Sequence, residues 1–213
     1  MKYKHIIWDY NGTLLNDASL CVEIINELLS ARGLKTMSLQ KYKQEFDFPV
    51  KDYYERAGFD FEKESFEIVG TEFIKEYNIR QKDAPLQKGA MNLLNEIKDK
   101  GIKQSVLSAR EEQSLISELK KFNIFNYFEE VVGLNNHYAE SKVERGKQLL
   151  SKIQVSKNEI VMIGDTKHDA EVAKEVGINC ILVSHGHQTK DKLQTCGVKV
   201  FDNFEEVKKF IFN

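Results

Sequence analysis

Two short stretches of this 213-residue chain set carboxylates where chemistry can use them. The first, Asp9-Tyr10-Asn11-Gly12-Thr13-Leu14, follows the apolar run Ile6-Ile7-Trp8. Such a run reads as a buried strand, and Asn-Gly as a tight turn that accepts positive φ. Asp9 is thereby delivered to the carboxyl end of a strand, the edge at which open α/β sheets bind ligands. The turn presents the Gly12 backbone N–H and the Thr13 hydroxyl, groups suited to an oxyanion. The second stretch is Ile163-Gly164-Asp165-Thr166-Lys167-His168-Asp169, again an apolar strand ending in a carboxylate, with another four residues on. If the two strands are neighbours, Asp9 and Asp165 converge on one hard cation. Mg²⁺ takes such oxygen ligands, one or two carboxylates with water and substrate phosphate. In the plainer reading Asp165 and Asp169 cap the helix that follows.

Other polar clusters are weaker. His185-Gly186-His187 lies just past a strand and lacks a third ligand at metal spacing, so it reads as loop. His168 sits between two carboxylates and could give a proton, although a solvent-facing side chain is favoured. Cys21, Cys180 and Cys196 are scattered and odd in number, as suits reduced thiols.

These residues need a scaffold, and the chain supplies one by alternation. From Pro85 onward, helical and apolar segments take turns: helix 88–100, strand 104–109, helix 111–122, strand 130–133, helix 142–153. Strand 160–165, helix 169–176, strand 180–183, a weak strand 198–201 and helix 203–211 complete the series. This pattern predicts an α/β fold with a doubly wound, three-layer parallel sheet. Residues 17–84 differ, with helices at 19–31, 38–46, 51–57 and 61–77 and little strand character. A helical insert after the first strand suggests a lid, giving a core of residues 1–16 and 85–213 and a cap of 17–84. Its many aromatic residues read mostly as cap core. Acidic and basic residues nearly cancel, at a formal charge of −2, which argues for neither nucleic-acid nor membrane partners. With no long apolar N-terminal segment the expectation is cytoplasmic.

Asp9-Tyr10-Asn11-Gly12-Thr13-Leu14 resembles the first motif of the haloacid dehalogenase-like (HAD) superfamily, Asp-x-Asp-Gly-Thr-Leu, and Gly164-Asp165-Thr166-x-x-Asp169 resembles its fourth. The resemblance implies a Rossmann-like core with an inserted helical cap and a Mg²⁺-dependent phosphatase similar to phosphoglycolate phosphatases. Asp9 would attack phosphorus and become an aspartyl-phosphate. Asn11 stands where the family carries its acid/base Asp, and an amide can neither give nor take that proton. The implied Mg²⁺ ligands are Asp9, Asp165, Asp169 and the backbone carbonyl of Asn11. Ser108 matches the second motif and, with Ala109, Gly12 and Thr13, would hold the phosphate. Ser108 could also cap a helix, with Glu111 completing a capping box. Lys142 is the candidate third-motif lysine, binding phosphate and offsetting the carboxylates, with Lys147 in reserve. The expected substrate is a small phosphorylated metabolite, and the expected state a monomer or homodimer. Two alternatives follow from Asn11. One is a phosphonate-cleaving enzyme using a cap lysine (Lys35, Lys41, Lys43 or Lys51) as a Schiff base. The other is a phosphate-binding sensor with little turnover.

Overall fold

The computed structural model describes residues 2–134 and 141–213. Six strands, β1 (His5–Trp8), β2 (Lys103–Glu111), β3 (Glu130–Leu134), β4 (Ile160–Gly164), β5 (Asn179–Val183) and β6 (Lys199–Phe201), form one sheet. Its order is β3-β2-β1-β4-β5-β6, and every pairing is parallel. The fold is α/β, as the alternation predicts. Alternate residues of the central strands face opposite layers because side chains on a strand have a period of two. Ile6 and Trp8 of β1 and Val161 and Ile163 of β4 pack in one apolar cluster. Ile7 and Met162 pack in another. The first cluster takes in α5 (Ala90–Asp99), α6 (Glu112–Lys121) and α10 (Phe204–Phe212). The second takes in α7 (Lys142–Lys152) and α8 (Lys167–Val176).

The chain leaves β1 outward and winds through β2 to β3, then returns across the sheet to β4 on the other side of β1. A switch point of this kind opens a crevice at the carboxyl ends of the two diverging strands.

Residues 18–80 form α1 (Ala18–Ala31), α2 (Leu39–Glu45), α3 (Val50–Ala57) and α4 (Phe66–Arg80). They carry an apolar cluster of their own, built on Ile24, Ile25, Leu29, Tyr53 and Val69. The two chain segments joining them to the sheet run side by side. Leu15 and Leu86 form an antiparallel bridge, and the Asn16 N–H donates to the Pro85 carbonyl at 2.8 Å.

Three local expectations are corrected. Helix α4 starts at Phe66, not Phe61, because residues 60–64 turn on Asp60, whose backbone carbonyl accepts from the Lys63 and Glu64 N–H groups. A short helix, α9 (Lys190–Gln194), was not expected. Strand β2 runs through Ser108 to Glu111, so no Ser108–Glu111 capping box forms. Glu111 is itself the N-cap of α6, its carboxylate accepting from the Gln113 and Ser114 N–H groups.

Candidate active site

Strands β1 and β4 are neighbours in register, Trp8 beside Ile163, and the Asp9 N–H donates to the Ile163 carbonyl at 2.9 Å. The two strand ends therefore carry Asp9 and Asp165 to the same point. Asp169, in the first turn of α8, completes a buried trio whose nearest carboxylate oxygens all lie within 4.8 Å of one another. Asp169 also caps its helix: Oδ2 accepts from the Thr166 N–H and hydroxyl at 3.0 and 2.7 Å. Lys142, the first residue of α7, is oriented by the Ser141–Glu144 capping box. Its Nζ lies 2.5 Å from Asp9 Oδ1 and 2.7 Å from Asp169 Oδ1. Lys147 is elsewhere, on the surface 3.9 Å from Glu175.

Two glycines let backbone close on Asp165. Gly12 has φ of +76°, and a Cβ there would meet Asp165 Oδ2 at 2.3 Å; at Gly186 the distance would be 2.1 Å. Without those atoms the His187 backbone N–H reaches Asp165 Oδ2 at 2.6 Å. Thr13 Oγ1 sits 2.8 Å from Asp165 Oδ1 and 3.2 Å from Asp9 Oδ2. The Thr13 hydroxyl thus bridges carboxylates, where the sequence suggests a phosphate contact.

Burial dominates the electrostatics. It raises the Asp9 carboxyl to about 8, against the pull of Lys142, with Asp169 and Asp165 adding to the rise. Burial likewise raises Asp165 to about 6, opposed by the His187 charge. Burial opposes the Lys142 charge too, yet Asp169 and Asp9 outweigh it and hold the ammonium well above its ordinary range. Asp169 is also buried, but Lys142 and Thr166 hold its carboxyl below the ordinary value. Three crowded, buried carboxyls beside one ammonium ionise together only at a cost, which a bound cation would offset. An all-oxygen set of this type fits a hard divalent cation.

A second polar cluster, built around Asn11, is not evident in the sequence. Asn11 Nδ2 donates to Asp17 Oδ2 at 2.8 Å and lies 2.6 Å from the Tyr77 hydroxyl. Tyr77 donates to the same Asp17 oxygen at 2.6 Å. Asp17 Oδ1 accepts from the Gly12 N–H at 2.8 Å and sits 3.2 Å from His187 Nε2. His187 Nδ1 is 2.8 Å from the Tyr42 hydroxyl. Burial opposes charge on both members of the pair, but mutual attraction wins: His187 rises to about 9 and Asp17 is held below its ordinary value. Asp17 precedes α1 at the N-cap yet makes no capping bond with its side chain; it reaches back into the first motif instead. The available signal was an Asp at a helix start beside a motif short of one carboxylate. The histidines read as loop residues are thus divided, His187 sharing the site and His185 placing Nε2 3.1 Å from the Thr13 carbonyl.

Both clusters open on a cleft of about 760 Å³ beneath the inserted helices. Asp9, Asn11, Ser108, Ala109, Lys142, Asp169 and His187 line it. Ser108 Oγ accepts from the Arg110 N–H at 3.2 Å. The expected phosphate contact of the Gly12 N–H is not available in this arrangement, since Asp17 takes that N–H. His168 lies at the cleft edge with its ring 4.9 Å from that of Phe48. Lys35, Lys41, Lys43 and Lys51 do not line the cleft; Lys43 instead donates to the His185 carbonyl at 3.0 Å.

Residues 6–183 match the model of the haloacid dehalogenase-like hydrolases. The chain belongs to that family. It is similar to a phosphoglycolate phosphatase from Caulobacter vibrioides, 25% identical over 96% of this chain and 89% of that protein. A pyrophosphatase PpaX from Halalkalibacterium halodurans is 22% identical over 90% of this chain and 88% of its own length. A haloacid dehalogenase-like family hydrolase from Streptococcus pneumoniae superposes with a TM-score of 0.82 at 18% identity, covering 99% of each chain. No helix among the described residues is long and apolar enough to cross a membrane.

Proposed function

We propose that the protein is a Mg²⁺-dependent phosphatase that acts on a small phosphorylated metabolite through an aspartyl-phosphate on Asp9. The observation that carries this reading is the buried trio Asp9, Asp165 and Asp169 with Lys142 inside it, set at the switch point of the sheet and open to a cleft. The carboxylates of the trio, with the Asn11 backbone carbonyl, would hold the ion. Bound Mg²⁺ would draw charge from the transferring phosphoryl group and keep the buried carboxylates ionised. Asp9 then serves as the attacking carboxylate, freed from its Lys142 contact as that ammonium turns toward phosphate oxygens. Ser108, which lines the cleft, supplies a hydroxyl to the same oxygens. Residues 17–84 act as a cap that closes over the substrate and excludes water. The similar phosphoglycolate phosphatases and pyrophosphatases support phosphoryl-ester or anhydride hydrolysis as the reaction class.

The test is phosphate release from acetyl phosphate with Mg²⁺ and with EDTA, beside Asp9→Asn. Wild type with Mg²⁺ should release phosphate and pass through a hydroxylamine-sensitive phosphoenzyme. Chelation and Asp9→Asn should each abolish both signals. Turnover that survives either treatment would remove the reading.

A further inference from the structure

Beyond Asp9 the cleft changes character. Phe46, Phe48, Tyr53, Phe73, Ile74 and Tyr77 also line it. Phe48 and Ile74 are 39% and 44% exposed, large apolar groups left uncovered beside a polar site. Exposed apolar surface of this kind marks a place where a ligand is held.

The basic groups lining the same cleft are all matched by acids. Lys142 is held by Asp9 and Asp169. Arg110 Nη1 lies 2.9 Å from Glu118, both side chains nearly buried. His187 faces Asp17 at 3.2 Å and His168 faces Glu171 at 3.5 Å. Glu67 and Asp17 add negative charge to the lining. A second anionic group on the substrate, a carboxylate or another phosphoryl, meets no uncommitted cation among the described lining residues. A buried anion without a partner is costly, which favours a neutral group as the remainder of the substrate.

Asn11 narrows the choice again. Its amide nitrogen is engaged by Asp17 and Tyr77, which leaves Oδ1, an acceptor with no proton to give. The leaving oxygen must depart without help from this side chain. A phenoxide does so readily, since phenols ionise at about 10. An alkoxide, closer to hydroxide and its parent water at about 16, does not.

We infer that the site hydrolyses small aryl phosphates, the aromatic ring lying against the Phe46–Phe48 and Phe73–Tyr77 wall while the phosphate sits at Asp9. This deepens, and rests on, the phosphatase reading above. In the first step an Asp9 oxygen forms a bond to phosphorus as the P–O(aryl) bond breaks. The phenoxide leaves with the bonding pair and takes its proton from solvent. Water then attacks the aspartyl-phosphate; phosphate is released, Asp9 recovers its electron pair as carboxylate, and the water's proton passes to solvent or phosphate.

The test compares kcat/KM for acetyl phosphate, phenyl phosphate and phosphoglycolate with Mg²⁺, in wild type, Phe48→Ala and Ile74→Lys. Both substituted positions are exposed, so folding is not at stake. Phenyl phosphate should exceed phosphoglycolate in wild type by at least about tenfold. In Phe48→Ala the phenyl-to-acetyl ratio should fall on the order of five- to tenfold, the worth of one aromatic contact. Ile74→Lys, which introduces a cation, should shift the phenyl-to-phosphoglycolate ratio toward phosphoglycolate. Phosphoglycolate turned over as well as phenyl phosphate, or ratios unmoved in both variants, would overturn the aryl assignment while acetyl phosphate hydrolysis leaves the phosphatase reading standing. Failure with all three substrates would remove both.

Discussion

At position 11 the amide faces a carboxylate. Asn11 donates to Asp17 at 2.8 Å, so exchanging the amide for a carboxylate sets two acids in contact within a buried cluster. Asn11→Asp should therefore destabilise the protein by roughly 1–3 kcal/mol, the cost of a donor lost and a like charge gained. The exchange Asn11→Asp with Asp17→Asn restores one donor and one acceptor. It also takes the carboxylate away from buried His187, so stability should not return to the wild-type value, while hydrolysis should rise by ~10²-fold, the usual worth of a positioned acid/base. Urea unfolding of the single and double variants decides the first point: equal stability for wild type and Asn11→Asp would mean that the contact carries no weight. The pH dependence follows from neighbouring groups. Asp9 is raised from the carboxylate range to about 8 and His187 from the imidazole range to about 9. Between pH 6.5 and 8 the native state thus binds more protons than the unfolded chain, and stability falls as pH rises. His5 and His185, lowered by burial to about 4, act in the opposite sense, mainly below about pH 7, and offset only part of this fall. Metal-free protein should accordingly lose Tm from pH 6.5 to 8, and Mg²⁺ should give a Tm gain that grows across that window. A metal-free Tm that rises with pH there would contradict the assignment.

At the scale of elements, what could be read from the chain was whatever a local pattern encodes. Apolar runs at 160–164 and 180–183, and helices closed by Gly58 and Gly177, declare themselves by period and punctuation. Helix α9 spans only five residues, too few for a helical period to show. The Asp9–Asp165 meeting was legible on condition that their two strands pair, which the structure shows they do. The Asp17–His187–Tyr77 cluster was not, since it depends on a loop after β5, a helix start and the end of α4 arriving together. That arrival hinges on the loop 184–189. A Cβ on Gly186 would lie 2.1 Å from Asp165 Oδ2, and the obstacle is a carboxylate already fixed by Thr13 and the His187 N–H. Gly186→Ala should push the loop outward, cost about 1–3 kcal/mol as overpacking does, and weaken Mg²⁺ binding measured by calorimetry. Mg²⁺ affinity equal to wild type in this variant would show that the loop does not shape the metal site.

Across the whole molecule, the two parts of the chain have separate apolar cores. One is built on the sheet around Trp8, Leu94 and Ile163; the other lies within α1–α4. What joins them is mostly polar: Tyr42 with His187, the Gln188 amide donating to the Phe46 carbonyl at 2.9 Å, and Lys192 with Asp47 at 3.0 Å. Each such polar contact contributes a modest net amount, so the helical part should loosen before the sheet when its own core is weakened. Val69 is fully buried in that helical cluster, and Val69→Ala removes two methyl groups from it at a cost of about 2 kcal/mol. Trp8, the single tryptophan, is buried in the sheet cluster and packs edge-on to Phe204 at 5.7 Å, so its fluorescence reports the sheet part alone. In urea, Val69→Ala should lose part of its helical circular dichroism at lower concentration than it loses the native Trp8 emission, giving two transitions that do not coincide. Coincident transitions, shifted together by the substitution, would mean that the seam couples the two parts into one cooperative unit.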